Sequence, residues 1–209
     1  MPKHTADRTD VTSLVTAIEA LAERGVRVIN MSLSGPANEV LQKAIAAAQA
    51  KGIVIVAAAG NNGAGAEPSF PAAYPGVVAV TAVDHELNVY RRATRGPYID
   101  LAAPGVNVWT ASAQGSASLK TGTSYAVPFV SAAAGILLAS RPDLDMPTVR
   151  TRLEQAALDL GQPGRDPTFG FGLIQMAGMC ADPTEPPAIA TVHEPARALP
   201  LGEQVVGTR

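Results

Sequence analysis

The chain has 209 residues, 47% of them apolar and 16% charged, enough to bury one α/β core and too apolar for a disordered polymer. Lysine and arginine number 16 against 18 acidic residues, a formal net charge of -2 with no basic block, which argues against nucleic acid and anionic membrane as partners. A single cysteine, Cys180, excludes an internal disulfide and a cysteine-based zinc site, and only 4% aromatic residues means that small side chains must build the core.

Met1 to Asp10 is polar and carries no apolar segment of the kind found in a signal peptide. Asp10 or Thr12 is placed to cap a helix with Leu14, Ile18 and Leu21 on one face and Gly25 as its stop. Val26 to Ser32 reads as a buried strand, and Asn38 opens a second helix with Leu41, Ile45 and Ala48, ended by Gly52. Ile53 to Ala58 and Val77 to Val83 are further buried strands. A helix between strands at this spacing predicts right-handed βαβ crossovers, hence an α/β fold with a parallel sheet and helices on both faces. Asp84 to Gly122 reads as short strands and turns, punctuated by Gly96-Pro97 and Pro104-Gly105. Tyr125 to Ser140 is a helix apolar nearly all round and so expected to be buried, with Ala132 to Gly135 allowing close approach. Asp145 and Pro147 open a last helix that carries Val149, Leu153 and Ala157, with Gly161 beyond it. From Ala181 the chain is Pro-rich without periodicity, which divides it into a domain over 1–180 and a flexible tail over 181–209. The longest apolar stretches, Ile53 to Ala59 and Val130 to Ala139, fall short of a bilayer span, so a soluble protein is expected.

Three segments carry possible chemistry. In Lys120 to Val130 (KTGTSYAVPFV) a turn delivers the Ser124 hydroxyl to the start of an apolar helix, where free N–H groups and the helix dipole favour developing negative charge. Pro128 removes one hydrogen bond from that opening. Ser124 is equally readable as a plain N-cap. In Ala57 to Gly63 (AAAGNNG), at the carboxyl end of a buried strand, Asn61 is able to aim an amide N–H at an oxyanion; Asn-Asn-Gly also makes an ordinary turn. In Asn30 to Pro36 (NMSLSGP), Ser32 to Gly35 presents an extended edge that a peptide backbone can pair with, or simply a strand exit.

Read in order, GVRVINMSLSGP, GIVIVAAAGNNG, YPGVVAVTAVD, LAAPGVNVW, GTSYAVPFVSAAAGILL and FGFGLI resemble the second half of the subtilisin-like (subtilase) serine peptidase domain, over Val11 to Met179. The resemblance implies a subtilisin-like three-layer fold lacking its N-terminal strands. It implies Ser124 as the nucleophile of a serine endopeptidase, and Asn61 with the Ser124 backbone N–H as the oxyanion hole. It further implies Ser32, Leu33, Ser34 and Gly35 as one wall of the specificity pocket, pairing with a peptide or protein substrate, and Ala57, Ala58, Ala59 and Gly60 as the facing wall. Relatives are usually secreted or periplasmic. They often bind structural calcium, but Ala66-Glu67 and Asp84 to Glu86 are too sparse for a site, and no cofactor is expected.

The chain departs from the family pattern GTSMASPHVAG at Tyr125, Val127, Phe129, Ser131 and Ala132, and Ser34 stands where a second glycine is usual. The Asp-Thr-Gly or Asp-Ser-Gly motif and the His-Gly-Thr-His motif of the family do not occur. The three histidines are His4 near the N-terminus, His85 in a turn and His193 in the Pro-rich segment, and all read as surface residues. A serine hydroxyl without a base is a poor nucleophile, so the isolated chain is expected to be close to inert. The strand Val26 to Ser32 is expected to present an exposed edge, open to an N-terminal fragment carrying the Asp and His or to self-association. Two other functions compete. One is a pseudopeptidase that binds peptides without turnover. The other is an α/β-hydrolase-type esterase, because Gly122-x-Ser124-x-Ala126 is one residue from the nucleophile elbow; that fold needs Asp and then His after the serine, and only His193 follows.

Overall fold

The computed structural model describes residues 10–111 and 115–177. Helix α1 (Val11–Glu23) is capped by Asp10, whose carboxylate accepts from Ser13 N at 2.9 Å and from its hydroxyl at 2.8 Å. Strand β1 (Val28–Met31) leads into α2 (Glu39–Ala50), capped by Asn38 Oδ1, which accepts from Val40 N and Leu41 N. Strands β2 (Val54–Ala58), β3 (Val78–Val83) and β4 (Leu101–Pro104) follow, then the antiparallel pair β5 (Val108–Ala111) and β6 (Ala117–Lys120). Helix α3 (Thr123–Ser140) precedes α4 (Met146–Gln155), where Asp145 accepts from Thr148 N at 2.9 Å.

The four strands β1 to β4 form one parallel sheet in sequence order. Side-chain alternation sorts the core into two clusters. Val54, Val56, Ala58, Val78, Val80, Leu101 and Ala103 face α3 and α4, meeting Ala126, Val130, Ala133, Ala134, Leu137, Val149 and Leu153. Ile29, Met31, Ile55, Ala57 and Ala79 face α1 and α2, meeting Ile18, Leu41, Ile45 and Ala48. Each fully buried Val, Leu or Ile contributes about 1.5–3 kcal/mol. Helices thus lie on both faces, as the sequence predicts.

The two margins of the sheet differ. Along β4, residues 171–174 add a further run of backbone pairing: Phe171 N donates to Asp100 O, Ala102 N to Gly172 O, and Ile174 N to Ala102 O. Gly170, at φ +65°, is held so close that a β-carbon there would overlap the Asp100 carbonyl, which explains the glycines of the FGFG run. The Asp100 carboxylate, 1% exposed, accepts from Ala79 N at 2.9 Å and pairs with Arg150 at 2.6 Å and Arg165 at 3.0 Å, tying β3 and β4 to α4. Along the outer side of β1, no strand pairs among the described residues.

Some expectations shift. The strand predicted over Val26 to Ser32 is ordered as a ladder only over Val28–Met31, because Ser32 turns toward α3. Ala157 lies past the end of α4 but still packs on the α3-side core. Helix α3 is not enclosed all round: Phe129 and Ile136 are 42% and 45% exposed, with Ala132 between them, because the sheet and α4 cover only one side. By length and composition α3 is also apolar enough to cross a membrane, unlike the shorter stretch read from sequence, yet it packs against all four parallel strands as a core helix. The Pro-rich segment and Cys180 lie outside the described residues.

Candidate active site

Ser124 is not a helix cap. Gly122 occupies that position and makes no side-chain cap bond, so Thr123 and Ser124 are the first two helical residues. Their N–H groups belong to the set that has no partner within a helix. Gly122 N donates to Gly105 O at 2.8 Å, fixing the start of α3 against the loop that leaves β4.

Pro128 matters here in a way its position foretells only partly. An α-helix bonds the N–H of residue 128 to the carbonyl of residue 124, and proline has no N–H to give. The Ser124 carbonyl instead accepts from the Ser32 hydroxyl at 2.9 Å, and the Ser124 hydroxyl donates to the Ser32 carbonyl at 3.1 Å. Asn30 Nδ2 donates to Ser32 Oγ at 2.8 Å, and the Ser131 hydroxyl donates to Asn30 Oδ1 at 3.2 Å. A polar chain therefore runs from the third turn of α3, across the exit of β1, and back to Ser124.

Asn61 is placed from the other side. Its Oδ1 accepts from Thr123 N at 3.0 Å and from the Thr123 hydroxyl at 3.1 Å, while Thr123 Oγ1 accepts from Gly60 N at 3.3 Å. Only the oxygen of a carboxamide can accept, so these two donors fix its orientation. Nδ2 is left with no partner among the described residues, as is Ser124 N. Gly60 has φ +104°, and a β-carbon on it would collide with the Ser69 hydroxyl. Thr123, Asn30 and Ser131 are positioning residues that the sequence does not single out. The only local signal is the threonine before the serine.

The expected pocket walls are only partly available. Gly35 is already paired: its N–H and carbonyl bond Phe70 at 2.8 and 3.0 Å, and the Ser32 carbonyl is taken by the Ser124 hydroxyl, which leaves Leu33 and Ser34 as the edge without a partner among the described residues. Leu33 is half-buried against the core cluster that holds Phe70 and Tyr98, and Ser34 is exposed. Ala57, Ala58, Ala59 and Gly60 are all enclosed. The side chains of Ala57 and Ala58 belong to the two core clusters, so the facing wall is not open to a side chain in this conformation. The Tyr98 hydroxyl donates to Ala59 O at 2.9 Å, and burial pushes its pKa up, keeping the donor neutral.

No histidine or carboxylate bonds the Ser124 hydroxyl among the described residues. Its proton rests on a backbone carbonyl, which cannot act as a base. His85 is 88% exposed and lies 3.8 Å from Glu86 in the loop after β3; His4 and His193 lie outside the described residues. Asp84 Oδ1 accepts from Glu86 N and Asn88 N of its own loop. Among the described residues no three His, Cys, Asp or Glu side chains gather into one cluster.

Comparison with known proteins gives this arrangement a context. The pattern described as "Subtilase family" (Peptidase_S8) matches residues 4–172. Subtilisin DY of Bacillus licheniformis is 38% identical over 168 residues, covering 78% of this chain and 60% of that protein. The minor extracellular protease Epr of Bacillus subtilis is 32% identical over 174 residues, covering 83% of this chain and 27% of that one. The fold is similar to that of fervidolysin from Fervidobacterium pennivorans, described as a keratinolytic enzyme related to subtilisin, with a TM-score of 0.75 and 26% identity over 82% of this chain and 29% of the other. The chain thus spans 60% of the length of one of these curated relatives and 27% of the other.

Proposed function

The chain belongs to the subtilase family, and from that premise we propose that it is the nucleophile-bearing part of a serine endopeptidase acting on peptide or protein substrates. Ser124 Oγ attacks the scissile carbonyl, and its proton passes to a histidine. Asn61 Nδ2 and Ser124 N donate to the oxyanion. The leaving amine takes the proton as the acyl-enzyme forms, and water then releases the acyl group from Ser124. The observation that carries this reading is the grip of Thr123, the residue before the serine, on Asn61 Oδ1, which leaves the amide Nδ2 without a partner among the described residues.

The histidine and its aspartate come, in this proposal, from a segment that packs on the bare margin of β1 and the exposed stripe of α3. The unpaired edge and the exposed Phe129 and Ile136 support that placement. Without such a segment the same surfaces favour self-association. The extracellular setting named for a relative extends to the whole protein as part of the same reading. The domain is taken as 1–180, with 181–209 as a tail and no cofactor. A second reading, a peptide-binding pseudopeptidase, is favoured by one observation: the Ser124 hydroxyl is bonded to a carbonyl that cannot activate it.

A fluorophosphonate probe tests these. The chain alone is expected to label no faster than its Ser124→Ala variant. Fused behind the N-terminal part of Subtilisin DY, it is expected to label in a Ser124-dependent manner. Asn61→Ala in that fusion is expected to lower kcat by about 10²–10³-fold, a magnitude that comes from a subtilisin. A fusion that folds, by circular dichroism, and binds peptide but labels no better than Ser124→Ala supports the pseudopeptidase instead.

A further inference from the structure

Loops leaving a parallel sheet at its carboxyl rim stand in the order of their strands. Here the exit of β1 is Ser32 to Gly35, the exit of β2 is Gly60 to Gly63, and the exit of β3 is Asp84 to Arg95. A peptide that runs along Ser32 to Ser34 and presents its carbonyl to Asn61 must continue, past the scissile bond, over the exit of β3.

That exit carries Arg91 and Arg92 side by side, both exposed, and neither forms an ion pair among the described residues. The two arginines sit on a braced turn. Gly63 N donates to Arg92 O at 2.8 Å, Thr94 N to Gly60 O at 3.0 Å, and Asn62 N to the Thr94 hydroxyl at 3.3 Å. Ala93 and Thr94 are fully buried, so the turn cannot slide away from the Asn61 loop. The acids of the same loop do not neutralise it. Asp84 is bonded to Glu86 N and to Asn88, and Glu86 to Asn88, and neither acid pairs with Arg91 or Arg92.

We propose that Arg91 and Arg92 form a cationic subsite on the leaving-group side of the cleft, selecting peptides with acidic residues just after the scissile bond. This rests on the peptide cleft of the preceding section and adds a substrate class to it. Guanidinium groups are suited to carboxylates through paired N–H donors. Because both arginines are exposed, the preference is modest and salt-sensitive.

Fluorescence anisotropy of the full chain tests it with three labelled peptides, identical before the scissile bond and carrying Asp-Glu, Ser-Ser or Lys-Lys after it. The Asp-Glu peptide is expected to bind about 3–10-fold tighter than the Lys-Lys peptide at low salt, with the gap closing as salt rises. Arg91→Glu with Arg92→Glu is expected to reverse the order. Lys43→Glu with Lys51→Glu, exposed on and just after α2, makes the same change in net charge and is expected to keep it. Equal binding of all three peptides overturns the subsite and leaves the cleft standing. Reversal by the Lys43 and Lys51 pair also overturns it, since net charge then explains the order. Binding of none of the three overturns the cleft and the subsite together.

Discussion

Pro128 leaves the Ser124 carbonyl without a helical donor, and Ser32 supplies one from 92 residues away in the chain. That bond and its return from Ser124 Oγ hold the serine at the rim of the sheet. Ser32→Ala removes the donor at an exposed position where water can take its place, so the loss is small, about 0.5–1.5 kcal/mol. It should appear as a lower urea midpoint with an unchanged slope, and Ser32→Thr, which keeps a hydroxyl, should restore most of it; an unmoved midpoint in Ser32→Ala would show that the bond contributes nothing. Ser124 and Asn61 were legible as residues because each ends a recognisable run at a strand or turn. Their supports were not. Thr123 acts on Asn61 from 62 residues away, and Ser131 reaches Asn30 across 101, so no local pattern announces either contact.

Among the elements, the starts of α1, α2 and α4 were readable in the sequence, whereas α3 begins at Thr123 behind Gly122 and not at Tyr125. Asp10, Asn38 and Asp145 each accept the N–H bonds that their positions predicted. Strands β2 and β3 were readable because their residues are buried on both faces and appear as apolar runs, broken in β3 only by the buried Thr81. Asp100 was invisible, since a single acid before an apolar run gives no hint that two arginines converge on it. Burial makes it a sensitive joint. Asp100→Ala leaves the buried Ala79 N–H without its acceptor and takes one partner each from Arg150, which keeps Glu154, and Arg165, which keeps the Ile99 carbonyl, so a cost of about 1–3 kcal/mol is expected. Thermal unfolding followed by circular dichroism measures it; a loss below about 0.5 kcal/mol would match an ordinary surface substitution and refute the joint.

At the scale of the molecule, the three-layer arrangement was legible from alternating strands and amphipathic helices. The bare side of α3 was not, because an all-round apolar helix reads the same whether or not every side is covered. Phe129, Ala132 and Ile136, together with the edge of β1 that no strand pairs among the described residues, are expected to act as an adhesive surface. The chain alone is expected to show a mass in light scattering that rises with concentration, and Phe129→Lys with Ile136→Lys is expected to return it toward a single chain; a wild type that stays monomeric throughout contradicts this. The opposite margin tells the other half. Because Gly170 lets the chain fold back flush against β4, that flank is occupied, and among the described residues the open margin of the sheet is the one beside β1. A newcomer lying parallel there would bring its own carboxyl end to the rim where Ser32 and Ser124 stand. The occupied flank thereby sets the direction from which a further strand can join the sheet.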